Sequence, residues 1–403
     1  MNSERFILGD PKFLSGSKAS FTQTDYSSEP AVIRPGDGLV TSKEVAGYMS
    51  RHPGSPMSQA VKSCGSQVRP GDLNGYHHRP SLNVFLVEKQ EPSVGVEIET
   101  VMRNGVRREQ IRDHLCSNWF HFERDGSLPD GGYELITEPL PPYIYRDPHT
   151  WTGLQNAVVP YLSSYGCSAT GLHVHVGLRQ FADIDTLPFR NDADRMNVGK
   201  HMAILLYFCV LDRAFVDRVM LRKNGSYCSG TTDPRLQEFQ NAVRSGVTAN
   251  EVVDYAVKLW GGSDAATRRA SRLRQMDTDG SAASRHYNVV RDGQSQYHTG
   301  SVCGICCGHS GNGSEMNATH LYTVEFRRGK GTLQAVSIHR MVELATLVVR
   351  YAGSLARKPV REYPDGTRKD VTVTPQAMYE FIAANTENGS LRQMALAAAQ
   401  KGN

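Results

Sequence analysis

The chain has 403 residues, 39% hydrophobic and 21% charged, which is enough for one large domain or two to three average ones with a substantial core. A formal net charge of +4, without a dense Lys/Arg run, argues against a nucleic-acid binder. The eight cysteines are few and mostly scattered, which is typical of reduced intracellular thiols and not of a disulfide framework.

No segment has the pattern of an exported or membrane-inserted chain. The first residues form no apolar signal region. The longest apolar stretch, residues 202–211, is about half of the ~20 residues that a membrane-spanning helix needs. We therefore expect a soluble, cytoplasmic protein, with neither membrane nor nucleic acid among its partners.

Residues 1–90 differ from the rest of the chain in composition. Gly, Pro and Ser make up 29 of these 90 residues, above the ~25–30% level at which such content indicates weak order. This composition predicts an irregular N-terminal extension that docks either on the main domain or on a protein partner. A single catalytic domain with C-terminal helices is expected over residues 91–403.

Hydrophobic periodicity predicts the elements that follow in chain order. Strands are expected at 94–100, 133–137, 171–177, 287–290 and 321–327. Helices are expected at 107–120, 151–165 with Pro160 as an interruption, 197–221, 236–243, 250–260, 332–355, 375–385 and 390–400. Early strands and late helices favour an α+β fold with a largely antiparallel sheet and helices packed on one side.

Three of the predicted strands share one design, in which two polar side chains stand at i and i+2 within an apolar run. Alternate residues share one face of a strand, so each strand can bury apolar side chains on one face and present its polar pair on the other. If the three strands join one sheet, the pairs form a patch that suits divalent cations and phosphate. The pairs are Glu97 with Glu99, His173 with His175, and Glu325 with Arg327.

Each pair alone also fits a simpler interpretation. Glu97 and Glu99 fit a solvent-facing strand, the two imidazoles fit half-exposed or core histidines, and Glu325 with Arg327 fits a weak surface ion pair. The functional interpretation is that neighbouring carboxylates require a cation, that Mg²⁺ prefers oxygen ligands, and that imidazoles and a guanidinium contact metal or phosphate.

Two further segments complete the candidate set, and one is set aside. Glu134 lies in a predicted strand, and a polar turn, Asp125-Gly-Ser127, precedes it. The segment with Cys303, Cys306 and Cys307 lacks the second cysteine pair of a zinc site. It is interpreted as part of an irregular Gly-rich loop over 292–317 that covers the site.

The ordered set of segments resembles the amidoligase family of the carboxylate–amine ligase superfamily, which is related to glutamine synthetase and glutamate–cysteine ligase. The matching segments are 95–99, 125–127, 132–135, 171–177 and 323–333, within a region of roughly 92–350. The resemblance implies a glutamine-synthetase-like α+β catalytic domain.

The resemblance also implies a role for each matching residue. Divalent-ion ligands would be Glu97, Glu99, Glu134, His173 and Glu325. His175 and Ser127 would contact the cofactor, and Arg327, Arg285 and Asp125 would act in catalysis, with the two turn residues orienting the amine or carboxylate substrate.

The expected activity is an ATP-dependent ligase that uses Mg²⁺ or Mn²⁺ and forms an amide through an acyl phosphate, acting on the carboxylate and amine of amino acids or peptides. Two alternatives stay open at this point. One is a kinase of a guanidino or amine substrate on the same fold. The other is a non-catalytic structural or interaction protein that retains the fold.

Overall fold

The structure is a computed structural model of the chain. It describes residues 73–74, 91–115, 120–123, 128–137, 139–164, 170–189, 192–222, 234–260, 316–317, 323–362 and 366–401. The predicted strand at 287–290 lies outside these residues.

An eight-stranded sheet forms the centre of the described fold. Its strands, in chain order, are β1 (Leu73–Asn74), β2 (Val94–Met102), β3 (Phe120–Glu123), β4 (Gly132–Thr137), β5 (Leu162–Ser163), β6 (Gly171–Gly177), β8 (Met316–Asn317) and β9 (Thr323–Lys330). The spatial order is β1-β3-β4-β2-β6-β9-β8, with β5 also paired to β2. Every pairing is antiparallel except that of β1 with β3.

Helices supply the second layer. They are α1 (Arg108–His114), α2 (Pro142–Tyr145), α3 (Pro148–Val158), α4 (Asp192–Leu205), α5 (Arg213–Met220), α6 (Pro234–Ser245), α7 (Ala249–Trp260), α8 (Ala335–Arg357), α9 (Pro375–Asn385) and α10 (Gly389–Lys401). Two small antiparallel ribbons join β7 (Val247–Thr248) to β12 (Thr372–Val373) and β10 (Val360–Glu362) to β11 (Arg368–Asp370). The prediction of an α+β fold with a largely antiparallel sheet is confirmed.

The long helix α8 packs on the apolar face of the sheet. It contacts β2 and β6, and α5 contacts β9. The apolar residues of the three central strands alternate along each strand and are all buried, as period-2 patterning requires. They are Val94, Val96, Ile98, Leu172, Val174, Val176, Val324 and Phe326. The remaining alternate positions of these strands carry the three polar pairs on the opposite face.

The predicted single helix over 197–221 is wrong, because the structure divides this segment. Helix α4 continues into a π-helical segment, Leu206–Val210, and Leu211 then adopts an extended conformation. Asp212 begins α5 as its N-cap, with its side chain accepting the backbone N–H of Phe215 at 3.1 Å. The first helix thus ends at extended Leu211, and an aspartate directly after the apolar run caps the second helix.

Two other predicted helices differ from the structure in extent. The segment 107–120 forms a helix only over Arg108–His114, and Phe120 already belongs to strand β3. The segment 151–165 ends its helix at Val158, two residues before Pro160, and Leu162–Ser163 is a short strand. Val159 keeps α-helical dihedrals and donates its N–H to the carbonyl of Gln155, but Pro160 has no N–H to continue the helical hydrogen bonds, which explains this early end.

One short part of the predicted N-terminal extension joins the sheet. Leu73 and Asn74 pair in parallel with Phe122 and Glu123, so the backbone of this segment extends the sheet at β3. The division of the chain at residue 90 stays a prediction. None of the helices in the described residues is both long enough and apolar enough to span a bilayer.

Gly199, in helix α4, lies where a side chain does not fit. A Cβ at this position would stand 2.3 Å from the Cγ of buried Phe181. We expect Gly199→Ala to lower the free energy of unfolding by about 1–3 kcal/mol through overpacking, although Ala is the better helix former. Denaturant titration would measure this change.

Gly389→Ala, in α10, is the matched control, because no atom lies within 4 Å of the Cβ it would add. Its stability should equal or slightly exceed that of the unmodified protein. Equal stabilities for both variants would contradict the packing of α4 on Phe181.

Candidate metal and phosphate site

The three polar pairs come together because their strands are neighbours. Strand β6 lies between β2 and β9 in the sheet. The register places His173 opposite Glu97 and His175 opposite Glu325. Directly opposed residues of an antiparallel pair share one face, so the pairs occupy one contiguous patch.

Glu97 joins the two imidazoles. His173 Nδ1 lies 2.7 Å from Glu97 Oε2, and His175 Nε2 lies 3.0 Å from Glu97 Oε1. A carboxylate only accepts, so the hydrogens of these two bonds lie on the histidine nitrogens. Each carboxylate oxygen of Glu97 thus holds one histidine.

The patch is buried. Glu97 is 3% exposed, His175 1% and Glu325 2%. This excludes the interpretation of these residues as ordinary solvent-facing strand positions. Carboxylates avoid full burial unless they are paired or bind metal, so the burial itself points to a specialised site.

Strands β4 and β3 add further carboxylates on the same face. Glu134 stands opposite Glu99 on β2 and opposite Glu123 on β3. Glu134 is 2% exposed and Glu123 only 1%. Glu123 was missed from the sequence, because its strand follows directly on a segment that we predicted to be helical; the alternation Phe120-His-Phe-Glu was the available signal.

Two consecutive arginines lie at a bulge in β9. One residue of β6, His173, stands opposite both Arg327 and Arg328. Arg327 Nη1 donates to Glu325 Oε1 at 3.0 Å, while Arg328, fully buried, bonds Asp217 of helix α5. Bulges disrupt the local pairing of a strand and are frequent beside active sites.

Arg327 has unused hydrogen-bonding capacity. Its Nε is buried and has no hydrogen-bond partner among the described residues. Burial disfavours the guanidinium charge, but the charges of Glu325, Glu97, Glu99 and Glu134 outweigh burial and raise the pKa of Arg327. A permanently charged side chain with a spare donor suits a phosphoryl oxygen.

The acids also govern His173. Burial and the charge of Arg327 oppose its protonation, yet the hydrogen bond to Glu97 and the charges of Glu99 and Glu97 raise its pKa. His173 Nε2 lies 3.9 Å from Glu99 Oε1, and Nδ1 lies 3.5 Å from Glu325 Oε1. The patch therefore favours positive charge at its centre.

The donor atoms fit divalent cations in two overlapping groups. Glu97, Glu134 and His173 offer one set of ligand atoms, and Glu97, His175 and Glu325 offer another, with the atoms of each set within 4.8 Å of one another. Glu97 belongs to both sets, so it is the carboxylate that would serve either position. This grouping adds His175, which the resemblance assigned to cofactor phosphate, to the possible metal ligands.

Gly171 leaves room at one end of the patch. A Cβ there would stand 3.2 Å from both Glu99 Oε2 and His173 Nε2, and 3.5 Å from Arg222 Nη1. The backbone N–H of Gly171 instead donates to Glu99 Oε2. Arg222, which sequence reasoning did not select, thus lies beside the patch.

Several predicted residues lie outside the described part of the chain. These are Asp125 and Ser127 of the polar turn, Arg285, and the cysteine segment with Cys303, Cys306 and Cys307. Their proposed roles stay predictions. The structure brings together the other predicted residues: Glu97, Glu99, Glu134, His173, His175, Glu325 and Arg327.

Comparisons with known proteins give a remote similarity to solved structures. No protein-family model and no curated protein matches the chain. Among solved structures, the chain is similar to a chain in the complex between prokaryotic ubiquitin-like protein Pup and its ligase PafA, with 12% identity and a TM-score of 0.27. The match covers 77% of this chain and 65% of the other. Similarity at this level assigns neither a fold family nor an activity.

Glu134→Gln tests the cation site. We expect the variant to bind Mn²⁺ at least about tenfold more weakly, because it loses a charged ligand of one donor set. Isothermal titration calorimetry with MnCl₂ measures the affinity. The unmodified protein should also gain thermal stability with Mn²⁺, and the variant should gain less.

Glu238→Gln serves as the matched control, because Glu238 is a half-exposed residue whose partner is Lys258, at 2.7 Å. This variant should bind Mn²⁺ as the unmodified protein does. Equal Mn²⁺ affinity for the Glu134 variant and the control would exclude Glu134 as a ligand.

Proposed function

We propose that the protein is an ATP-dependent carboxylate–amine ligase that requires Mg²⁺ or Mn²⁺. The observation that carries the proposal is the buried face on which Glu97, both histidines and Glu325 meet beside Arg327. Such a face offers oxygen and nitrogen ligands for divalent ions next to a guanidinium for phosphate, as phosphoryl transfer requires. The motif order in the sequence supports a ligase in particular.

In this proposal the acidic residues hold the ions. Glu97, Glu134 and His173 would form one position, and Glu97, His175 and Glu325 a second. The bound ions would neutralise charge on the transferring phosphoryl group. Glu99, which accepts a hydrogen bond from the backbone N–H of Gly171, would add a further carboxylate to this group.

The chemistry proceeds in two balanced steps. A substrate carboxylate oxygen attacks the γ-phosphorus of ATP, and the bond to the β-phosphate oxygen breaks, releasing ADP. An amine then attacks the acyl carbon, phosphate leaves with the electrons of the broken C–O bond, and the proton lost by the amine nitrogen passes to solvent water. Arg327, held by Glu325, would stabilise the negative charge that develops on the γ-oxygens.

The substrates follow from the resemblance and not from the described residues. We propose an amino acid or a peptide as the source of carboxylate and amine, oriented by Asp125 and Ser127, with Arg285 as a second phosphate contact. Residues 1–90 would form an extension that recruits a protein partner, before a catalytic domain over 91–403. Use of ATP by a chain with few, scattered cysteines favours the cytoplasm.

Glu97→Gln and Arg327→Lys test the proposal. With ATP, Mg²⁺ and a mixture of amino acids and short peptides, the unmodified protein should release ADP and phosphate and form a new amide. Glu97→Gln should lose this activity, because the variant loses a charged ligand and binds the metal ion more weakly. Arg327→Lys should lower turnover by about 10²–10³-fold, since lysine cannot reproduce the guanidinium fork. Coupled ADP detection and mass spectrometry provide the measurements.

Two surface variants are the controls: Glu238→Gln, and Arg361→Lys in the exposed strand β10. Both should retain full activity. A stable phosphorylated product without an amide would show a kinase instead. Absence of ATP binding with either ion would end the enzymatic proposal.

A further inference from the structure

A cleft opens among the helices, and none of the residues of the polar pairs lines it. It has a volume of 1040 Å³ and lies between the π-helical segment, α5 and the ends of α6, α9 and α10. Ligand sites of small molecules usually measure ~300–1,000 Å³. The cleft is therefore large enough for a small molecule.

The floor of the cleft is apolar. Phe208 comes from the π-helical segment, Phe215 from α5, Val243 from α6 and Met394 from α10. A π-helical turn inside an α-helical run is rare and occurs frequently at functional sites. Here the π-helical turn follows α4 and lines the cleft, so the unusual backbone lies at the apolar floor.

The rim of the cleft is cationic. Arg218, Arg244 and Lys401 line it with exposed side chains. Within the described part of the chain, none of the three has a carboxylate in ion-pair contact. The acid among the lining residues, Asp212, is engaged as the N-cap of α5 through the N–H of Phe215. The charge of the rim thus favours an anion.

A neutral donor also faces this region. The hydroxyl of Tyr379 accepts the backbone N–H of Asp212 at 2.7 Å, and its own proton is available for donation. Burial raises the pKa of Tyr379, so the hydroxyl keeps that proton. Cys209 also lines the cleft, but burial raises its pKa to about 12, so it stays a thiol and favours non-covalent binding.

The cleft wall is fixed to the central sheet. Asp217 of α5 bonds the fully buried Arg328 of β9, and Arg213 Nε lies 3.6 Å from the same Asp217 oxygen. Arg213 and Arg218 therefore project from a helix that is held in place, which lowers the cost of ordering the site on binding.

We propose that this cleft binds a small amphipathic acid, an aliphatic chain with a terminal carboxylate. The hydrocarbon chain would lie on the apolar floor, and the carboxylate would contact the arginines and the lysine of the rim. The positive charge of the rim attracts the carboxylate, and the apolar floor buries the alkyl chain. The proposal is independent of the ligase activity.

Dodecanoate below its micelle concentration is the probe, titrated calorimetrically into the full chain. We expect saturable binding of one molecule per chain. The double variant Arg218→Gln/Arg244→Gln should weaken binding by about tenfold or more, because it removes two charged donors. Arg361→Gln, a charge loss at exposed β10, is the matched control and should leave binding unchanged.

Two further titrations separate the contribution of the carboxylate from that of the alkyl chain. Dodecanol has the alkyl chain without the charge, and acetate has the charge without the alkyl chain. Each should bind much more weakly than dodecanoate. Ala397→Trp should block dodecanoate by filling the cleft, with the fold retained because Ala397 is exposed. The proposal is overturned by absence of saturable binding, by equal binding of dodecanol, or by equal binding to the double variant and the control.

Discussion

The carboxylate of Glu97, held between two histidines inside the sheet, is the interaction on which the site depends. Its two oxygens bond His173 and His175, at 2.7 and 3.0 Å. A buried carboxylate is tolerated only when its lone pairs are satisfied. These two bonds require β2 and β6 to pair in one register, since a slip by one residue would turn every polar side chain to the apolar face. The register of β2 and β6 and the geometry of the site therefore determine each other.

The sheet is buried on both faces, yet its central strands alternate in polarity. On one face Val96, Val174 and Phe326 pack with the helices, and on the other glutamates and histidines lie almost without solvent contact. Antiparallel strands with this alternation usually have one face in water. Here the second face is polar and dry, so each charge on it interacts strongly with its neighbours. The neighbouring glutamates on this face raise the pKa of His173 and the pKa of Arg327.

The sequence predicted those parts of the fold that follow from local patterning. Strand β6 was placed at its observed bounds, because two flanking glycines and strict alternation leave one interpretation. Helix α9 was placed equally well, since Pro375 at its first turn and Thr374 as its cap mark the start. The i, i+2 pairs were found for the same reason, as a strand necessarily puts them on one face.

The rest depends on contacts between distant segments. Whether a polar strand face is dry or wet is decided by what covers it, so the burial of Glu97 could not be read from β2 alone. Glu123 enters the site only because β3 pairs with β4. The π-helical segment before Asp212 is likewise a response to packing, because its apolar sequence suits a continuous helix equally well.

Strand β9 contributes to both layers of the fold at its bulge. Consecutive residues of a strand face opposite sides, so Arg327 bonds Glu325 in the site while Arg328 bonds Asp217 in the helical layer. The extra residue of the bulge places both arginines opposite His173 and shifts the pairing of the residues that follow. Gly329 follows directly, and a Cβ there would stand 2.4 Å from the carbonyl oxygen of Leu172, so the close approach of the strands after the bulge requires glycine. The position of Arg327 in the site therefore depends on a glycine two residues away and, through Arg328, on a helix on the other side of the sheet.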